Sequence, residues 1–276
     1  ALEMKNALGR GWWTLERFGL SPAKLGRRLT TRDGPRVFCI TVPKAGTHLL
    51  ERALCLHPAL ARKLLPTVRS NNVAKLGGLE GIARGLRRGQ VAMSHLHHTP
   101  DHAEILSREG LVTIFLVRDP RDIVVSEAVY LASGDRRHRL HPMFASQPDA
   151  KERILLLLRG DSEHGVVAMG RKLERYAGWL DSGALVVRFE DLVGSSGGGD
   201  DERQRAALRS IFAHLGLPEE DIDIQSLAAH LFSAKSPTFH RGAIGQWRQQ
   251  FDPEIEAAFR ESVGDAMARY GYPDPS

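Results

Sequence analysis

The sequence reads as an α/β protein, a single domain with a central parallel β-sheet flanked by helices. Three observations predict this. Short apolar runs rich in β-branched residues recur along the chain, as strands buried on both faces require. Stretches with apolar residues at helical spacing separate them. Two strand-to-helix turns carry residues suited to an anion, and doubly wound sheets gather ligands at the carboxyl ends of their strands. A length of 276 residues allows a large core.

Residues 1–35 read as an N-terminal arm with one short amphipathic helix carrying Trp12, Trp13, Leu15 and Phe18. The two tryptophans either cap the core or line a pocket. Residues 36–276 are predicted to form the main domain. Its first predicted strand is Val37–Val42. Pro43 ends it, Gly46 permits a tight turn, and Leu49, Leu50, Ala53 and Leu54 predict a helix from Thr47 onward. The segment 71–88 predicts a helix interrupted by glycines, and 90–94 a strand leading into His95-Leu96-His97-His98. The run 111–117 predicts another strand. After it Asp119 suits an N-cap, Pro120 the first helical position, and Asp122 lies three residues past the cap. Residues 133–147 look polar and irregular; 150–158 and 169–180 look helical; 184–189 is the expected fourth strand. A flexible link is expected over 195–200 and a helix over 201–215. Over 233–250 a loop is expected, with Gly242 and Gly245 giving the freedom a closing lid needs. Asp252 and Pro253 start the last predicted helix, with Ile255, Phe259, Val263 and Tyr270 inward.

Two turns carry the chemistry. Lys44–Thr47 sits where a strand meets a helix, and the free N–H groups and positive dipole end of that helix suit a phosphate. Lys44 adds a charge and Thr47 a hydroxyl. The pattern is not G-x-x-x-x-G-K-[ST], because the lysine precedes the glycine. A plain turn with an incidental lysine is the alternative. The second turn places Arg118 at a strand's carboxyl end, with Ser126 roughly 9 Å along the next helix. Guanidinium and hydroxyl could share a second phosphate. The alternative pairs Arg118 with Asp122 or Asp119 and leaves Ser126 as filler.

Together the segments resemble PAPS-dependent sulfotransferases, which use 3′-phosphoadenosine 5′-phosphosulfate (PAPS) and release PAP. The family's P-K-S-G-T-[TH]-[WL] is similar to Pro43-Lys44-Ala45-Gly46-Thr47-His48-Leu49. Its R-[ND]-P-[KR]-D-x-x-x-S is similar to Arg118-Asp119-Pro120-Arg121-Asp122 through Ser126. Its late R-K-G-x-x-G-x-W resembles His240-Arg241-Gly242-Ala243-Ile244-Gly245-Gln246-Trp247, and its Y-E-D-L resembles Phe189-Glu190-Asp191-Leu192. The four occur in family order. The resemblance implies a P-loop-like sulfotransferase fold. It further implies that Lys44, Gly46 and Thr47 hold the 5′-phosphosulfate, with Ala45 and His48 in the same turn. Arg118, Ser126, Arg241 and the Gly242 backbone would hold the 3′-phosphate. Ala45 replaces the usual serine, Leu49 a frequent adenine-stacking tryptophan, and His240 the first basic residue of the late motif. Phe232 is a weak candidate for the adenine contact.

The resemblance also covers K-T-H-L-P, whose histidine is the general base; Ser94-His95-Leu96 matches its centre. A histidine titrates near neutrality and can take a hydroxyl proton. His95 is therefore the expected base, with His48 its rival, and Lys44 the expected stabiliser of the leaving group. The H-x-H-H spacing over 95–98 lacks a fourth ligand of familiar pattern, and no metal is expected. The expected reaction moves a sulfuryl group from PAPS to a hydroxyl of a small-molecule acceptor. A small ATP-dependent kinase and a non-catalytic nucleotide-binding module are the alternatives. Acceptor-facing residues are expected from segments 65–75, 97–102 and 133–165. Phenols, sugars, natural-product hydroxyls and carrier-bound acyl chains all remain open. The basic stretch 136–141 fits either an anionic acceptor or a solvated loop.

Bulk properties agree. There are 38 basic and 33 acidic residues, and the basic clusters at 84–88 and 136–139 are short and lack interleaved aromatics, so no nucleic-acid partner is expected. Cys39 and Cys55 sit in apolar company, as reduced, buried thiols do. No run has membrane-spanning length and the first residues lack a signal-peptide core, so a cytoplasmic protein is expected. The family's usual dimerisation motif is not visible over 249–259, and the oligomeric state is left open.

Overall fold

The computed structural model describes residues 11, 14–22, 24–25, 34–134, 136–231, 243–264 and 266–272. Its sheet comprises β1 (Val37–Thr41), β2 (Ala61–Arg62), β3 (Val68–Arg69), β4 (Gln90–His95), β5 (Val112–Val117) and β6 (Leu185–Arg188). Every pairing is parallel, in the order β2-β4-β1-β5-β6, with β3 pairing farther along β4. β1 lies at the centre and all five of its residues are buried. That burial is why its sequence is continuously apolar up to Thr41 rather than alternating. The chain builds to one side of β1, then crosses after β4 to the other, leaving the carboxyl end of β1 as the place where ligands bind in such sheets.

The expected central strands are present, one residue shorter at Val42 and one longer at His95. The strands β2 and β3 were not expected, because two-residue pairings carry no period to read. The predicted fourth strand is therefore the sixth. The helices are α1 (Thr47–Leu56), α2 (Gly78–Arg84), α3 (Pro100–Arg108), α4 (Pro120–Val129), α5 (His141–Ala145), α6 (Ala150–Arg159), α7 (Met169–Ala177), α8 (Phe189–Leu192), α9 (Asp201–His214), α10 (Ile224–Leu231), α11 (Pro253–Val263) and α12 (Ala266–Arg269); α3, α8 and α10 were not expected, and the others follow the sequence in the main. Four differences have local causes. The helix expected over 71–88 reduces to a 3₁₀ turn and α2, because Gly77 and Gly78 both take left-handed φ angles of 96° and 76°. The segment expected to be irregular from 133 onward begins at the end of a π-helical turn, Tyr130–Gly134, and contains α5, which has proline in its first turn. The expected link at 195–200 is a packed turn: Asp201 accepts the Ser195 N–H at 2.8 Å, and Asp200 caps α9. The last helix breaks at Gly264, so Tyr270 follows α12 instead, still buried and donating its hydroxyl to Leu173 O at 2.7 Å.

The arm is anchored by polar contacts. Lys24 is buried and donates to the Cys55 and Leu60 carbonyls, and Arg17 pairs with buried Glu51 on α1. In the expected amphipathic helix Leu15 is exposed, whereas Phe18 is half-buried; Trp12 and Trp13 lie outside the described residues. Cys39 and Cys55 are free and buried, and burial pushes the Cys55 thiol up to about 11.

Candidate active site

The turn between β1 and α1 is built around two residues with left-handed backbones. Lys44 has φ 71°, and among the described residues no other non-glycine takes a positive φ. Gly46 has φ 106° and is the N-cap of α1. A side chain there would be strained, and a Cβ would meet the Phe189 ring at 2.5 Å. No side chain caps α1 and no acid occupies its first turn. Its opening N–H groups are therefore left for an anion. The Lys44 ammonium lies 3.9 Å from the centre of the Tyr130 ring, on the π-helical turn after α4. Burial pushes its pKa below the ordinary value, and Glu127 acts against that shift.

Thr41 joins this turn to β4. Its Oγ1 lies 2.7 Å from Thr47 Oγ1, 3.0 Å from His95 Nδ1 and 3.3 Å from the Ser94 carbonyl, to which it donates. His95 Nδ1 also lies 2.9 Å from the Thr41 carbonyl. A carbonyl only accepts, so Nδ1 carries the proton and Nε2 keeps its lone pair. Burial, the largest influence, lowers the His95 pKa to about 4; Arg69, His48 and Lys44 add to the shift and the Thr41 contact opposes it. The segment behind is bolted down: Tyr176 donates its hydroxyl to His95 O at 3.2 Å, and Trp179 Nε1 donates to Leu96 O at 2.9 Å. The neighbouring histidines go elsewhere. His97 sets its ring edge-on to Tyr176, and His98 does the same with Trp179. His48, the rival base, is half-buried, with its pKa lowered chiefly by burial.

Arg118 is buried where three motifs meet. It donates to Lys44 O at 3.3 Å and to Ala243 O at 3.1 Å, lies 3.7 Å from Asp122, and covers the Phe189 ring at 4.4 Å. The Arg118–Asp122 pairing read as the alternative is thus present. It is not the whole of Arg118, because Nε is buried without a partner among the described residues. Ser126 is half-buried on α4. Asp122 accepts the N–H of Gly245 at 2.7 Å and of Trp247 at 3.1 Å. Arg121 grips Asp119 through two nitrogens, at 2.9 and 2.6 Å, and lies 4.2 Å from the Trp247 ring. Glu190 accepts the Asp119 N–H at 2.9 Å and the Tyr272 hydroxyl at 2.7 Å; burial, foremost, raises its pKa. Arg241, Gly242, His240 and Phe232 lie outside the described residues.

The structure thus brings together Lys44, Ala45, Gly46, Thr47, His95 and Arg118, with His48 and Ser126 on the adjoining helices. Thr41, Phe189, Tyr130 and the latching role of Asp122 were missed. The signals were thin: a lone hydroxyl closing an apolar strand for Thr41, and a first-turn acid for Asp122.

No protein family's sequence profile matches the chain, and no curated protein matches it. Solved structures do. A mouse sulfotransferase, SULT7A1, complexed with PAP superposes with a TM-score of 0.59 at 21% identity, over 90% of each chain. A retinol dehydratase in complex with androsterone and the inactive cofactor PAP gives a TM-score of 0.59 at 15% identity, over 87% of this chain and 82% of that one. The chain therefore has the fold of these structures.

Proposed function

We propose that the protein is a sulfotransferase that moves a sulfuryl group from PAPS to a hydroxyl of a small-molecule acceptor and releases PAP. The observation that carries this reading is the reach of one hydroxyl: Thr41 Oγ1 contacts both Thr47, in the anion-binding turn, and His95, the only ring of the three clustered histidines turned to that turn. The residues fit a doubly phosphorylated nucleotide. The uncapped start of α1, Lys44 and Thr47 would hold the 5′-phosphosulfate, with Ala45 and His48 in the same turn. Arg118, whose buried Nε lacks a partner among the described residues, would hold the 3′-phosphate with Ser126, Arg241 and the Gly242 backbone. PAP in the mouse sulfotransferase and the retinol dehydratase structures supports the same ligand.

PAPS supplies the sulfuryl group. His95 Nε2 takes the proton of the acceptor hydroxyl as its oxygen attacks sulfur. Lys44 meets the charge left on the departing phosphate oxygen. The transferase unit spans residues 36–276, with 1–35 as an arm, and works in the cytoplasm without a nucleic-acid partner. No helix among the described residues is long and apolar enough to cross a membrane.

Calorimetric titration with PAP, AMP and ATP–Mg²⁺ tests the reading. Tight, metal-independent binding of PAP alone is expected. Preference for ATP–Mg²⁺ would replace it with a kinase.

A further inference from the structure

The end of β3 carries a cation that the reaction above does not use. Arg69 is the register partner of His95 in the parallel pairing of β3 with β4. Register partners on parallel strands point to the same face, about 4.8 Å apart. The Arg69 side chain therefore stands alongside that of His95, while Val68 and Ser94 share the buried face. Its backbone is fixed: Asn72 Oδ1 accepts the Arg69 N–H at 2.7 Å, Asn72 Nδ2 donates to Thr67 O at 3.0 Å, and the Val73 N–H reaches Arg69 O at 2.9 Å. The guanidinium is exposed and has no ion pair among the described residues.

Its neighbours do not neutralise it. Glu51, the carboxylate that acts on His48, pairs with Arg62. Glu127, the carboxylate that acts on Lys44 and Tyr176, is taken by Lys172. The other groups felt around His95 and His97 are Lys44, His48, Arg175 and His102, all cationic or neutral. Arg69 thus holds a positive charge beside the base and opposes its protonation.

We propose that Arg69 is the acceptor-recognising residue and that the acceptor is an anionic hydroxyl compound, carrying a carboxylate, phosphate or sulfate near the hydroxyl. This rests on the sulfotransferase reading with His95 as base. An anion on Arg69 does two things at once. It fixes the acceptor's hydroxyl at His95, and it cancels one of the positive charges that, after burial, lower the basicity of His95. The basic stretch Arg136, Arg137 and His138 follows the Tyr130 turn, whose ring lies 6.3 Å from that of His138.

The test is a panel of acceptors in matched pairs, each carboxylic acid with its primary amide (4-hydroxyphenylacetate with 4-hydroxyphenylacetamide among them), across phenolic, alicyclic and sugar hydroxyls. Turnover is measured with PAPS. The acids should lead in kcat/KM by about ten- to a hundredfold, the usual worth of a hydrogen bond to a charged group. In Arg69→Gln that ratio should fall to near one, and in Arg69→Lys stay in between, with melting temperature and PAP affinity unchanged in both. An equal or reversed preference in the wild type, no anionic member turned over, or an unchanged ratio in Arg69→Gln overturns the inference alone, provided that PAP binds. Failure of PAP to bind the wild type overturns the donor-site reading and this inference together.

Discussion

Asp122 accepts the backbone N–H of Gly245 at 2.7 Å, across 123 residues of sequence, and the same carboxylate faces Arg118 at 3.7 Å. One acid therefore fixes the late segment and balances the buried guanidinium of the proposed 3′-phosphate site. Asp122→Asn removes the charge but keeps an acceptor. It should weaken PAP binding about tenfold and lower stability by about 3 kcal/mol, the cost of an uncompensated buried charge. Calorimetry and urea unfolding read the two effects separately; unchanged PAP affinity would mean that the latch is structural only.

Arg118→Ala should weaken PAP binding at least tenfold more than AMP binding, because only PAP has a 3′-phosphate for the guanidinium. Titrating both nucleotides into the variant decides it. Equal losses would remove Arg118 from that phosphate.

His95→Ala should lower turnover by about 10²–10⁴, the usual contribution of a general base, while sparing PAP affinity. Retained turnover would pass the role to His48.

The depressed pKa of His95 also predicts a stability slope. Its folded value of about 4 lies below the ordinary 6.5, so the unfolded chain binds the proton first. Its contribution is complete above pH 6.5 and is lost as pH falls toward 4, by at most about 3 kcal/mol. Urea midpoints of wild type and His95→Gln should converge over that interval. Parallel curves would show that the ring is not buried neutral.

Gly46→Ala meets two obstacles, a φ of 106° and the Phe189 ring 2.5 Å from the new Cβ. It should cost roughly 1–3 kcal/mol and weaken PAP binding. Gly46→Ala combined with Phe189→Leu should recover part of the stability, as thermal melts would report. No recovery would place the penalty wholly in the backbone.

Much of the site was legible because the signals were local. An apolar strand followed by Pro43, Gly46 and helical spacing places Lys44 and Thr47 at a turn whatever packs around it. Asp119 and Pro120 do the same for α4. Contacts between distant segments were not legible. Nothing in the spacing says that Phe189 would pack on Gly46, or that β3 would bring Arg69 into register with His95. Those placements depend on which strands become neighbours, and a two-residue strand leaves no periodic trace of its partner. The breaks at Gly264 and at Gly77-Gly78 show the other limit: a helical pattern continues across glycines that the backbone does not follow.

Thr41 and Thr47 sit 2.7 Å apart, and only one proton can lie between their oxygens. While Thr41 donates to the Ser94 carbonyl, Thr47 must point its own proton inward. Turning the Thr47 hydroxyl outward to an anion reverses the exchange: Thr41 then donates to Thr47 and lets go of Ser94. The hydroxyl that touches the His95 ring would thus reorient on binding of an anion at Thr47. The two halves of the pocket are joined by a handshake, and the ring proposed to receive the acceptor's proton sits beside a hydroxyl that would report whether the donor is in place.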